Sequence, residues 1–236
     1  MNDSDQKTAN LILVWDLAVR VIHWGLVVSV FGAWLTRELE GDWFAWHTRF
    51  GYAVLVLALT RVVWGVVGTR YARFTHFVRG PSTILNYLKN LRVSRSSADT
   101  RDLGHNPLGA VMIVVLLSLL LMQAVTGLFA NDQILETGPL FGYVSVALSD
   151  QLTTVHKQLF DVLWAAISLH VLAVFFYLWV LRQNLIKPMW SGRKPGVASD
   201  GITHSRTGWA VVIALVVSSL LALLVVTAPE AFLFDF

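Results

Sequence analysis

Cysteine is missing from this chain of 236 residues. Its absence excludes disulfides, thiolate-held iron–sulfur clusters and covalent CxxCH attachment of haem. Any soft-metal site must draw on seven histidines and four methionines. Charge is scarce too. Asp, Glu, Lys and Arg make up 14% of residues, against about 25% in an ordinary soluble domain. The opening MNDSDQKTAN has neither a basic start nor a small-residue cleavage site. The first apolar segment is therefore expected to be retained, not removed as a signal peptide. No internal repeat is visible, and no nucleic-acid partner is expected.

Apolar residues are what the chain has in excess. They make up 56% of it, with ten tryptophans among them, and the mean hydropathy is +0.61. A polytopic membrane protein is the class this implies, with lipid as one partner. Five apolar runs stand out: about Leu17 to Leu35, Phe44 to Val67, Leu108 to Ala130, Thr154 to Leu181 and Gly208 to Ala228. Each reaches the ~20 residues a helix needs to cross the hydrocarbon. Backbone groups in lipid must pair internally, so these runs are expected to be helices. The expected fold is an all-α membrane protein: a four-helix transmembrane bundle over 1–194, a linker at 195–207 and a fifth C-terminal transmembrane helix at 208–228. The Gly- and Pro-containing stretch Ser191 to Gly201 makes that last helix a partly separate appendage. Behind Pro81, the spacing of Ile84, Leu85, Leu88 and Leu91 predicts a short amphipathic helix on the membrane surface. Ser94 to Ala98 reads as a polar loop.

Loop charge gives the orientation. The second connection carries Arg70, Arg73, Arg79, Lys89, Arg92, Arg95 and Arg101 against Asp99 and Asp102. The segment after the fourth run carries Arg182, Lys187, Arg193, Lys194 and Arg206 against Asp200. The opposite side is poor in bases: Arg37 faces Glu38, Glu40 and Asp42, and Asn131 to Thr153 holds only the acids Asp132, Glu136 and Asp150. The expected setting is a bacterial inner membrane, with the N-terminus cytoplasmic and the C-terminus periplasmic.

Four histidines fall inside the spans. His156 and His170 are fourteen residues apart, which places both on nearly one helix face about 21 Å apart along the axis. With alternating helix directions, His23 falls at the depth of His170, and His47 at the depth of His156. Ionisable groups in a span are costly and default to function. A zinc or copper transporter would cluster carboxylates or thiols at one level. Two separated histidine pairs instead fit axial ligation of two haems, each with both axial positions filled and suited to electron transfer. The competing class is a transporter or scaffold whose histidines are structural.

Other residues leave two readings open. Gly51 and Ala166 lie one turn from His47 and His170 on the same faces, where a small residue admits a porphyrin or simply packs helices. Arg61, fourteen residues after His47, and Arg20, three before His23, could hold haem propionates or snorkel to lipid head groups. Arg49 and Lys157 could do the same on the outer side. Asp161 could relay a proton, contact a quinol or pair with a polar neighbour. His105 could line a quinone pocket or cap the third span. His76 and His204 read as surface residues.

The motifs VWDLAVRVIHW (14–24), HTRFGY and TRVVWGVVGTRYARF (within 47–74), DLGHNPLG (102–109), TGLFA (126–130) and HKQLFDVLWAAISLH (156–170) resemble the bacterial cytochrome b-561 group. Within it the chain is most similar to the cytochrome b subunits of nickel-iron hydrogenases. The resemblance implies a four-helix bundle with two b haems on His23, His47, His156 and His170, passing electrons between quinone and a partner redox protein. That partner could be a hydrogenase or a periplasmic c-type cytochrome. A stand-alone superoxide:quinone oxidoreductase is the related enzyme reading, against which the acidic outer loops argue. The fifth helix is not part of the family pattern.

Overall fold

The computed structural model describes residues 10–39, 43–90, 103–134 and 136–229. Arg92, Arg95 and Arg101, the acids Glu40, Asp42, Asp99 and Asp102, Leu91 and the Ser94–Ala98 stretch lie outside the described residues. Strand β1 (Asn10–Leu13) leads into helices α1 (Leu17–Glu38), α2 (Phe44–Val67), α3 (Phe74–Phe77), α4 (Pro81–Asn90), α5 (Pro107–Leu128), α6 (Val146–Trp179) and α7 (Ile186–Ser191). Strand β2 (Arg193–Gly196) and helix α8 (Thr207–Val226) follow. Among the described residues five helices are long and apolar enough to cross a membrane: α1, α2, α5, α6 and α8. The molecule is an all-α membrane bundle.

Small residues bring α1 and α2 together. Gly25 lies against Leu57, and a Cβ on Gly32 would stand 2.6 Å from the Phe50 ring. Without a hydrophobic drive in lipid, close backbone approach of this kind is what binds helices. Val54, Leu119, Leu120 and Leu163 join α2, α5 and α6 in one core cluster. Helix α6 lies along α5, and its backbone comes close to α1 and α2 at few points. It does meet α1 through the stacked rings of Trp34 and Trp164, 5.5 Å apart.

The fourth span is longer than its apolar run. Helix α6 begins at Val146, capped by Ser145, whose hydroxyl accepts from the Leu148 N–H. Its first two turns carry Asp150 and Gln151, so hydropathy alone starts the helix late. They are clamped to the α5–α6 connector. Asn131 Nδ2 donates to Ser149 Oγ (2.6 Å) and Asp150 Oδ1 (2.9 Å), and the Ser149 hydroxyl donates to the Phe129 carbonyl (2.6 Å).

At the opposite end, part of the expected linker is ordered structure. β2 pairs antiparallel with β1, with Asn10 opposite Gly196 and Leu13 opposite Arg193. The partner strand lies at the far end of the chain, so local Gly and Pro content could not reveal the pairing. Gly192, in the left-handed region at φ 79°, ends α7, and its carbonyl accepts from the Val14 and Trp15 N–H groups. A Cβ there would stand 2.7 Å from the Trp15 carbonyl oxygen, so glycine is needed for both reasons. Helix α8, expected as a partly separate appendage, touches the bundle near its start. Ala210 packs into a buried cluster with Ala18, Val19, Trp64 and Ala72, while most of its remaining surface stays exposed and suits lipid.

Asp16 ties this sheet end together. Its Oδ1 caps α1 by accepting from the Val19 N–H (2.7 Å), and its Oδ2 accepts from Trp64 Nε1 (3.0 Å) and the Thr69 hydroxyl. The residue is 1% exposed, and the buried Arg61 guanidinium lies within electrostatic reach. Removing one member of a buried charge network costs about 3 kcal/mol or more. Asp16→Ala is therefore expected to lower the thermal midpoint of the detergent-solubilised protein by many degrees, and Thr69→Ala by less. Circular dichroism melts measure both.

Candidate functional site

The four span histidines are brought together in two pairs at two levels. At the connector end, His47 stands in the first turn of α2 and His156 in α6. Their ring centroids are 6.4 Å apart and nearly perpendicular, at 82°. Imidazole nitrogens each ~2 Å from one shared metal ion, with ring centres about 1 Å further back, give centroids about 6 Å apart. His47 Nδ1 lies 2.8 Å from the Ala33 carbonyl and His156 Nδ1 2.9 Å from the Gln123 carbonyl. A carbonyl only accepts, so both rings are fixed with the proton on Nδ1 and the lone pair on Nε2. That is the tautomer a metal ligand needs, with its other nitrogen oriented by a backbone acceptor.

Groups from α5 complete the His156 setting. The Gln123 amide donates to His156 Nε2 at 3.2 Å, and Thr126 Oγ1 lies 3.3 Å from Nδ1. A Cβ on Gly127 would come within 2.8 Å of His156 Cε1. Glycine here is what lets the ring lie against α5. At Gly51, by contrast, a Cβ would meet no heavy atom within 4 Å, so the α2 face beside His47 is open. Ala166 packs into the α2–α5–α6 core, which is the helix-packing reading of that position.

At the sheet end, His23 and His170 lie within electrostatic reach of each other. His23 packs edge-on against Trp24, with centroids 5.0 Å apart, and its Nδ1 is buried without a partner among the described residues. Arg61 is 6% exposed, sits over the Phe74 ring at 5.4 Å and has one buried guanidinium nitrogen, Nη1, without a partner among the described residues. That orphan donor suits an anionic group at this level. Arg20 donates from Nη1 to the Trp190 carbonyl at 2.7 Å, fastening α7 to α1, and its Nε is buried without a partner.

Outside the pairs the expectations divide. His105 does not cap α5. Asn106 does, accepting from the Gly109 N–H at 2.7 Å. His105 packs between Trp15 (4.3 Å) and Phe77 (4.6 Å), tilted against both rings. His76 is not a free surface group but half-buried, accepting from Arg70 Nε at 3.3 Å, whereas His204 is exposed. Asp161 and Lys157 are exposed on α6, and Arg49 lies 4.7 Å over the Trp46 ring. Asp16, Gln123 and Gly127 were assigned no role from the sequence. For Asp16 the signal was present, since an aspartate directly before an apolar run is a helix-cap signature. The roles of Gln123 and Gly127 depend on contact with a helix thirty residues on, which spacing does not show.

The architecture defines a multi-pass membrane protein with imidazoles paired at two depths. The chain belongs to the prokaryotic cytochrome b561 family, whose sequence profile matches residues 14–192. It is thus a transmembrane b-type haem electron-transfer protein. Comparison with curated proteins and with solved structures gave no match. Helix α8 lies beyond the matched region. Overpacking costs ~1–3 kcal/mol, so Gly127→Val, which drives a side chain into His156, should weaken haem retention by roughly tenfold. Pyridine haemochrome after repeated washing measures this, and an unchanged gel-filtration profile separates it from misfolding.

Proposed function

We propose that the protein carries electrons across a bacterial inner membrane through two b-type haems. His47 and His156 would hold one at the connector end, and His23 and His170 the other at the sheet end. Quinone or quinol would exchange electrons at one end and a redox partner protein, such as a hydrogenase or a periplasmic c-type cytochrome, at the other. The observation that carries the reading is the His47–His156 pair: 6.4 Å between centroids, with both Nδ1–H groups committed to carbonyls.

Bound haem supplies one-electron chemistry at its iron, with potential set by axial ligands and surroundings. The chain supplies everything else. Carbonyls of Ala33 and Gln123 lock the two imidazoles in the ligating tautomer and raise their basicity. Gln123, now donating to His156 Nε2, is the group that must turn aside for a ligand there. Gly51 leaves room for a flat group against α2, and Arg61 offers a buried cation to a carboxylate at the sheet end. The unbroken α6 keeps the two levels about 21 Å apart along its axis. Placing the basic sheet end in the cytoplasm follows from the distribution of Lys and Arg.

Dithionite-reduced protein is expected to show a b-type α-band and about two haems per chain. His23→Ala and His170→Ala should each remove one spectral species, and His47→Ala and His156→Ala the other. Loss of the same species from His23→Ala and His47→Ala would overturn the pairing. A colourless preparation from haem-sufficient cells would overturn the dihaem reading itself.

A further inference from the structure

A cavity of about 520 Å³ opens at the sheet end, between the 3-10 turn Arg70–Ala72, α3, α4 and the start of α5. Tyr71 and Phe77, each 2% exposed, close its floor. Its rim is cationic. Arg70 and Arg79 line it and are both exposed. Arg70 is held in place, with its Nε donating to His76 Nε2 at 3.3 Å and its guanidinium 5.4 Å over the Tyr71 ring. Among the described residues neither arginine has a carboxylate within ion-pair distance. Asp200 reaches the wall, where its backbone carbonyl accepts from the Tyr71 hydroxyl at 2.8 Å.

Several cations act on the two histidines that line the cavity. Burial lowers the basicity of the His76 ring, and Arg70, Arg79 and Arg73 lower it further. Burial pushes His105 well below the ordinary histidine value, with Arg61, Lys194 and His76 adding to the effect. Among the described residues no carboxylate offsets either ring.

The position of the cavity decides what kind of anion suits it. It lies just past the last residue of α2 and just before the first of α5, at the depth of lipid head groups. Helix α4, which forms one wall, leaves Leu85 57% and Leu88 45% exposed. Those side chains lie on the face of α4 turned away from the cavity and set the helix on the apolar side of the membrane boundary, where the hydroxyl contact of Tyr87 with Tyr177 (2.8 Å) holds it beside α6. We propose that this cavity binds the phosphate of an anionic glycerophospholipid, with Arg70 and Arg79 as the phosphate-binding side chains. An arginine fork matches phosphate oxygens bidentately. A cationic rim at the depth of lipid head groups favours a lipid over a free anion.

The test uses the full chain in neutral detergent, titrated with short-chain phosphatidylglycerol, short-chain phosphatidylcholine and inorganic phosphate, and read by native mass spectrometry. Phosphatidylglycerol is expected to be retained and phosphatidylcholine to be lost. Each interfacial base is worth about 1 kcal/mol toward an anionic lipid. Arg70→Gln with Arg79→Gln should therefore weaken retention by roughly tenfold or more. The exposed Arg79→Gln alone, which leaves the Arg70–His76 contact intact, should weaken it several-fold. Arg182→Gln with Lys187→Gln, at the same end but outside the cavity, should change nothing. Equal retention of both lipids, or equal loss from the two double variants, would overturn the site. Binding of inorganic phosphate as tight as that of phosphatidylglycerol would assign it to a free anion and overturn the lipid. None of these readouts depends on haem.

Discussion

The pitch of a single helix sets the layout. Over thirty-four residues α6 runs unbroken, and fourteen residues amount to nearly four turns. His156 and His170 therefore keep one azimuth at two depths without any bend in the backbone. Only α5 lies along α6 closely, while α1 and α2 approach it at few points. The opposing histidines come from helices of opposite direction, His47 from the start of α2 and His23 from the first turns of α1. An antiparallel hairpin with glycines at Gly25 and Gly32 holds those two at matched depths. Shortening either helix by one residue would move a histidine by ~1.5 Å and ~100°, which is enough to break its pair.

Rigidity at the two ends is achieved by different means. The connector end uses side-chain hydrogen bonds, with Asn131, Ser149 and the Asp150 carboxylate pinning the loop to the first turns of α6. The sheet end uses a buried carboxylate, Asp16, answered by Trp64, Thr69 and the nearby Arg61. Breaking such a network is expensive because the remaining charge is left uncompensated. The β1–β2 pairing then closes the chain on itself, carrying residues 193–196 back onto residues 10–13. Helix α8 starts from that closed plate and packs on α1 and α2 through Ala210.

The helices were legible because lipid removes alternatives: a run of twenty apolar residues has to satisfy its own backbone. The depth pairing was legible too, since helix direction and residue number together fix depth. Asp150 and Gln151 hid the first turns of α6, because polar residues in a helix that extends past the hydrocarbon look like loop. The β1–β2 pairing and the sandwich of Trp15, His105 and Phe77 stayed hidden for a different reason. Both join segments far apart in sequence and have no periodicity of their own. Gln123 and Gly127 belong with them, as each matters only through its contact with His156.

The two histidine pairs are not equivalent donors. His47 and His156 each give an Nδ1–H to a backbone carbonyl, which strengthens the lone pair on the opposite nitrogen. His23 Nδ1 has no such acceptor among the described residues, and Arg61, at the same end of the bundle, has a guanidinium nitrogen unpartnered among them. One level is thus built from hydrogen-bonded imidazoles, with Arg37 and Lys157 within electrostatic reach of His156. The other has an imidazole without such an acceptor among the described residues, at the end of the bundle where Arg61 is answered by Asp16. With haems held as proposed, the more basic ligands would favour the oxidised state at the His47–His156 level. The asymmetry comes from where the carbonyls of Ala33 and Gln123 fall relative to α2 and α6, a matter of helix register and not of the histidines themselves.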